Sequence, residues 1–238
     1  MNKNKIKIYC DFDGTITLKD LSDELFKHYG NLEPYNSMLR KNEISIYDYW
    51  KMTFKSLPSK FSKKDLENFA LQQEIDTYFY DFCIFCKQNT IPISIVSDGY
   101  IEYIYPILKK FNLEFVNVFS NRLIFADSIM PVFTGATESC KCPCASCKRN
   151  VILNNSSDDD IIIFIGDGYS DFCVAEHSDI IFAKKYLAKY CTENKIPHYH
   201  FKSFFDVKKI LSEIIINKGK LKPRRQAQIK RKDAFESE

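Results

Sequence analysis

The chain has 238 residues, of which 45% are hydrophobic and 27% charged, and its 34 Lys and Arg against 31 Asp and Glu leave a net charge of +3. Those proportions are ordinary for a globular protein long enough to bury a substantial core, either as one large domain or as one domain with an insertion. No stretch approaches the roughly twenty apolar residues of a membrane-spanning helix, which excludes a membrane span, and the nine cysteines lack the even-numbered framework of a small secreted protein.

The N terminus runs directly into an apolar segment with no signal-peptide pattern, so the expectation is a cytoplasmic protein. That segment predicts a strand over 5–10, and it delivers Asp11-Phe12-Asp13-Gly14-Thr15. Side chains at i and i+2 of an extended segment share a side, so Asp11 and Asp13 can face one reacting group, and Gly14 permits a tight turn. Two carboxylates at the end of a buried strand are costly unless a cation or a phosphate chemistry uses them.

Residues 18–88 hold several helical patterns, at 20–29, 45–56 and 62–73, more than one crossover needs, and they predict a separate helical cap over the core. Asp20 has two readings, a substrate contact from the cap or an N-cap for the helix beginning at Leu21. Tyr35, Tyr47, Tyr49, Trp50 and Phe54 line up at near-helical spacing and read as packing, with a pocket lining as the alternative. Cys83 and Cys86 read as packing within an apolar helix.

A second strand, 92–96, ends in Ser97-Asp98-Gly99, where a hydroxyl and free amides suit phosphate oxygens. Asp98 would either favour a cationic head group or cap the following helix. A third strand is predicted over 114–119. Next comes Cys140-Lys141-Cys142-Pro143-Cys144-Ala145-Ser146-Cys147-Lys148, four thiols in eight residues before a lysine. Zinc held by Cys140, Cys142, Cys144 and Cys147, a redox-sensitive cluster and a simply reduced loop are the competing readings. Lys148 can neutralise a phosphate and an aspartate together. Residues 161–165 are five consecutive apolar residues, the mark of a strand buried on both faces in a parallel sheet, and they lead to Gly166-Asp167-Gly168-Tyr169-Ser170-Asp171. A last strand is predicted over 179–183.

Residues 218–232 contain eight Lys or Arg and no acid, whereas residues 1–217 carry 26 basic and 28 acidic side chains. The expectation for 218–238 is a disordered, solvated basic tail, with nucleic-acid contact the less favoured reading. Strands alternating with helices give an α/β fold with a parallel sheet, and ligands of such sheets bind beyond the carboxyl ends of the strands, where Asp11, Ser97 and Asp167 would meet.

In order, strand context and spacing, the segments at Asp11, Ser97, Lys148 and Asp167 resemble the four motifs of the haloacid dehalogenase superfamily of phosphohydrolases over residues 5–185. The resemblance implies a Rossmann-like core (1–17 and 89–217) with an inserted helical cap (18–88) like that of the phosphoserine phosphatase-like enzymes. It also implies a small phosphorylated metabolite as substrate and magnesium as cofactor. Asp11 would be the nucleophile and Asp13 the general acid and base. Ser97, Asp98, Gly99 and Lys148 would bind phosphate. Asp11, Asp167 and the main-chain carbonyl of Asp13 would hold the metal, with Asp171 supporting the metal or Lys148. These roles agree with the chemistry of phosphoryl transfer through a covalent carboxylate, in which a second carboxyl moves the protons, and with the preference of magnesium for hard oxygen ligands.

The cysteine-rich segment and residues 166–173 look like two groups of the superfamily, the 2-hydroxy-3-keto-5-methylthiopentenyl-1-phosphate phosphatases and the phosphoethanolamine and phosphocholine phosphatases. Ser97-Asp98-Gly99 departs from the Ser-Gly-Gly of the first group. A noncatalytic binding protein of the same fold is the alternative from another functional class.

Overall fold

The computed structural model describes residues 5–135, 144–216 and 221–236. Its centre is a seven-stranded sheet in the order β4-β3-β2-β1-β5-β6-β7. The strands are β1 (Ile6–Cys10), β2 (Ile93–Tyr100), β3 (Asn117–Phe125), β4 (Ile129–Val132), β5 (Ile161–Gly166), β6 (Ile180–Ala183) and β7 (Tyr199–His200). Only β4 runs antiparallel, and β1 lies between β2 and β5 with Cys10 opposite Ile95 on one side and Ile165 on the other. The chain therefore switches winding direction at β1, and a crevice opens at the carboxyl ends of β1, β2 and β5.

The sheet is buried on both faces because its central strands are mostly apolar, β5 at every position. All six residues of β5 are buried. Ile161, Ile163 and Ile165 pack into one layer with Ile6, Ile8 and Cys10, while Ile162 and Phe164 pack into the other with Tyr9 and Val96. The second layer is closed by α7 (Lys148–Asn154), α8 (Phe172–Glu176) and α9 (Lys185–Glu193) through Ile152, Val174 and Leu187. The first is closed by α5 (Phe79–Gln88), α6 (Ile101–Lys110) and α10 (Phe204–Ile216). Phe204 sits with its ring centroid 4.8 Å from Phe79 and 5.2 Å from Phe82.

Between β1 and α5 the chain forms α1 (Leu21–Tyr29), α2 (Tyr35–Arg40), α3 (Ile46–Lys55) and α4 (Lys63–Leu71). The three strongest helical patterns of the sequence become α1, α3 and α4. Each starts where a short polar side chain caps it: Asp20, Ser45 and Ser62 accept from the amides of Asp23, Asp48 and Asp65. Ser62 and Asp65 complete a reciprocal capping box. Thr17 and Ile75 pair in an isolated antiparallel bridge, so this helical segment leaves and rejoins the core at one place. The helix that carries Cys83 and Cys86, α5, packs on α10 instead of on the segment before it.

Tyr49, Trp50 and Phe54 are buried and stack around Phe26 and Tyr100, as the packing reading requires. Tyr35 lies partly buried against the core, and Tyr47 meets Phe133.

Three expectations change. β3 starts at Asn117 and continues to Phe125, because its further residues pair with β4, which the sequence does not announce. β4 is an edge strand of alternating partial exposure, and as an edge it tolerates Pro131. The segment expected to be a disordered basic tail forms α11 (Arg225–Glu236). Two of its basic residues are consumed internally. Arg224 donates to the carbonyls of Ala175, Glu176 and Ser178, at and just beyond the end of α8. Arg231 is 3% exposed and ion-paired to Asp179 at 3.2 Å.

Candidate active site

The loop after β1 turns sharply back on itself: the amides of Thr15, Ile16 and Thr17 all point to the carbonyl of Phe12. Gly14 makes this turn with φ +73°, a left-handed conformation that favours glycine, and a Cβ there would come within 2.6 Å of Asp167 Oδ2. The turn brings Asp11, Asp13 and Thr15 to the crevice.

Lys148, the first residue of α7, reaches across it and is 2% exposed. Its Nζ donates to Asp11 Oδ1 at 2.6 Å and to Asp171 Oδ1 at 2.6 Å. Burial works against the ammonium, but the charges of Asp11, Asp171 and Asp98 outweigh it and hold its pKa well above the usual lysine value. Asp171 is a bracket: its second oxygen accepts the amides of Asp167 at 2.9 Å and Gly168 at 3.0 Å, which shapes the turn after β5. Asp167, at the end of that strand, accepts Thr15 Oγ1 on Oδ1 at 3.0 Å and Lys185 Nζ on Oδ2 at 2.8 Å.

Oxygens of Asp11, Asp167 and Asp171, all three buried, lie within 4.8 Å of one another. Burial and then the neighbouring charge of Asp171 push the Asp11 pKa well above the usual carboxylate range. Crowded carboxylates of this kind are a hard-oxygen donor set that suits magnesium. With both its oxygens already engaged by Lys148 and the two amides, Asp171 fits a supporting place better than a primary one.

Asp13 is held apart from the lysine. Its Oδ1 accepts the amide of Leu21 at 3.1 Å and its Oδ2 the hydroxyl of Tyr103 at 2.7 Å. Burial raises its pKa to about 6, against the lowering effect of both hydrogen bonds. Gly99 allows the approach, since a Cβ there would stand 2.6 Å from Asp13 Oδ2 and collide with the Tyr103 hydroxyl. A carboxyl that titrates close to neutrality is equipped to move protons.

Ser97 is buried at the crevice end of β2, and its Oγ accepts the amide of Gly99 at 2.9 Å. Asp98 does not cap the following helix. No side chain caps α6, whose N-cap residue is Tyr100. Asp98 Oδ1 instead accepts the amide of Ser146 at 3.1 Å, anchoring the loop that leads into Lys148, and burial raises its pKa to about 6. Asp20 caps α1, accepting the amide of Asp23 at 2.9 Å. Its side chain stays open to solvent although surrounding protein, and next the charge of Asp13, raises its pKa well above the ordinary value.

The zinc reading of the cysteine loop finds no support. Cys140 and Cys142 lie outside the described residues, Cys144 and Cys147 are buried, and among the described residues the carboxylate trio is the cluster with metal-ligand spacing. Thr15, Tyr103 and Lys185 carry no role in the sequence reading. Thr15 stands inside the first motif and could have been found there, whereas Tyr103 and Lys185 arrive from distant segments and leave no local signal.

A family model for haloacid dehalogenase-like hydrolases matches residues 8–176. The chain is 29% identical over 206 residues to the 2-hydroxy-3-keto-5-methylthiopentenyl-1-phosphate phosphatase of Bacillus mycoides, covering 85% of this chain and 94% of that protein. It is 28% identical over 216 residues to the enzyme of the same name from Bacillus cereus, covering 88% and 98%. Among solved structures, a phospho-aspartyl intermediate analogue of phosphoserine phosphatase superposes with a TM-score of 0.66 at 18% identity, covering 89% of this chain and 99% of that one. A cytosolic 5′-nucleotidase IIIB bound to cytidine superposes with a TM-score of 0.61 at 18% identity, covering 91% and 86%. The chain belongs to the haloacid dehalogenase-like hydrolase family and is an enzyme.

Proposed function

Taking the chain as a haloacid dehalogenase-like hydrolase, we propose that it is a magnesium-dependent phosphatase that cleaves a small phosphomonoester through an aspartyl-phosphate intermediate. The observation that carries this reading is the buried contact of Lys148 with Asp11 and Asp171 at 2.6 Å each, with Asp13 two residues from Asp11 in a separate hydrogen-bonded setting. Two carboxyl groups on one loop are thereby given different environments, and different environments assign different roles.

Asp11 attacks phosphorus and forms the acyl phosphate as the bond to the alcohol oxygen breaks. Asp13, protonated at Oδ2 or Oδ1, gives its proton to that departing oxygen. It then takes a proton from the water that attacks the aspartyl phosphate, which releases inorganic phosphate and restores Asp11. Lys148 neutralises charge on the transferring group and on Asp11. Ser97, whose Oγ already accepts the Gly99 amide, has its O–H to give to a phosphate oxygen, alongside the amide of Asp98. Asp11, Asp167 and the main-chain carbonyl of Asp13 would hold magnesium, which supplies positive charge to the phosphate oxygens.

Residues 18–88 are read as a helical cap, with α5 as its return to the core, and the cap would exclude water and recognise the alcohol part of the substrate. The cytoplasm is the setting proposed. The methylthiopentenyl phosphate named for the Bacillus relatives is the first substrate to try. Phosphoethanolamine and phosphocholine follow.

The test is a turnover assay with magnesium across methylthiopentenyl phosphate, phosphoethanolamine, phosphocholine, phosphoserine and sugar phosphates. One substrate hydrolysed well above the others, with activity lost in Asp11→Asn, is the expected result. Negligible turnover of every phosphomonoester, or an Asp11→Asn variant as fast as the wild type, overturns the proposal.

A further inference from the structure

Asp167 differs from the other two carboxylates of its cluster in the cation that faces it. Asp11 and Asp171 share Lys148, which is fully buried and held from two sides. Asp167 is paired with Lys185, whose side chain is 48% exposed. Lys185 is the first residue of α9 and has φ 48°, a left-handed backbone conformation that a lysine rarely adopts without a compensating contact. From that backbone its Nζ donates to Asp167 Oδ2 at 2.8 Å and to the carbonyl of Gly14 at 3.2 Å. The same ammonium thus joins the β1 loop to the end of β5, on the carboxylate that the metal reading needs.

We propose that Lys185 is a tethered counter-cation to Asp167 that lowers the affinity of the carboxylate cluster for a divalent metal and stands in for that metal when it is absent. The inference rests on the metal reading given above. A unit positive charge 2.8 Å from a ligand oxygen opposes the approach of a second cation whether it stays in place or is displaced. Displacement has somewhere to go: beside Lys185 lies a cavity of about 570 Å³, lined also by Lys184, Lys189, Thr192 and His200. It opens to solvent, where the charge is screened. Lys184 remains behind in either case, its Nζ on the carbonyl of Thr15 at 3.3 Å, so the loop keeps one tie when Lys185 moves.

The experiment is calorimetric titration of magnesium into the intact wild-type protein and into Lys185→Met, Lys185→Gly and Lys185→Arg. Met keeps the length of the side chain without its charge, and Gly suits the left-handed backbone, so that one variant folds even where the other is strained. The expected result is a magnesium Kd lower by about three- to tenfold in Met and Gly, and within about twofold of wild type in Arg. Without magnesium, Met should melt below wild type, because Asp167 has lost its counter-charge, and saturating magnesium should raise its melting temperature by more. Equal or weaker magnesium binding by both Met and Gly overturns the role of Lys185 alone. Failure of the wild type to bind magnesium overturns the metal reading, and the role of Lys185 falls with it.

Discussion

Two clusters of buried charge stand at opposite ends of this sheet, and they are built from the same materials. At the amino-terminal end of β5 and β6, Asp179 accepts the amides of Ile162 at 2.8 Å and Arg224 at 2.7 Å and pairs with Arg231, whose Nη1 also reaches the carbonyl of His177 at 2.7 Å. One carboxylate there meets one guanidinium side chain, that of Arg231, and two amides. At the carboxyl-terminal end, Asp11, Asp167 and Asp171 crowd together, with Lys148 and Lys185 as their ion-pair partners. Asp13 and Asp98 lie beside them, tied only to a hydroxyl and amides. A balanced cluster closes a fold, whereas a surplus of buried carboxylates costs stability unless another cation completes it. The difference that matters is the balance of charge.

That contrast can be broken by removing the central cation of each cluster. Lys148→Met should lower kcat/KM by about 10² to 10³, since it deletes a charge placed on the transferring group, and should also destabilise the protein. Arg231→Met should destabilise by a similar amount, about 3–5 kcal/mol for a broken buried pair, yet leave kcat of the folded enzyme unchanged. Melting temperature and single-substrate kinetics on the two variants decide the matter. A loss of kcat in Arg231→Met below its melting transition would show that the two clusters do not divide the labour as argued.

How the sequence betrays these clusters follows from where their partners come from. Asp11, Ser97 and Asp167 stand at ends of apolar segments, Lys148 closes a run of cysteines, and a run such as Ile161 to Ile165 marks a buried strand whatever surrounds it. The caps Asp20, Ser45 and Ser62 are local as well, each bonding a residue three positions on. Tyr103 on Asp13, Lys185 on Asp167 and Arg231 on Asp179 join residues 18 to 90 positions apart. The C-terminal segment misleads for that reason. Its composition is that of a solvated tail, and only the folded chain has the end of α8 and Asp179 ready to receive Arg224 and Arg231.

The Asp13 environment sharpens the comparison through pH. Its pKa is raised to about 6, so the protonated form that donates to the leaving oxygen falls about tenfold for each pH unit above that value. The rate of aspartyl-phosphate formation, followed as a single turnover, should decline on the alkaline side accordingly. The Tyr103 hydroxyl bond lowers this pKa. Tyr103→Phe removes it, so the alkaline limb should move to higher pH. A limb that stays in place or moves down would dissociate Asp13 from the proton transfer.

Asp20 lies between the two kinds of carboxylate, and the smallest predicted effect is the one that classifies it. As an N-cap it accepts the amide of Asp23 at 2.9 Å, and Asp20→Ala should cost about 1 kcal/mol, roughly 2–4 °C in a chain of this size. Serine caps a helix as well as aspartate does, so Asp20→Ser should regain that stability. Yet the side chain is open to solvent at the crevice, and the charge of Asp13 is felt there. If capping is its whole function, the serine variant matches the wild type in KM as well as in melting temperature. A serine variant that melts like the wild type but shows a raised KM would move Asp20 to the functional cluster, because the hydrogen bond to the helix is kept and only the negative charge facing the substrate is gone.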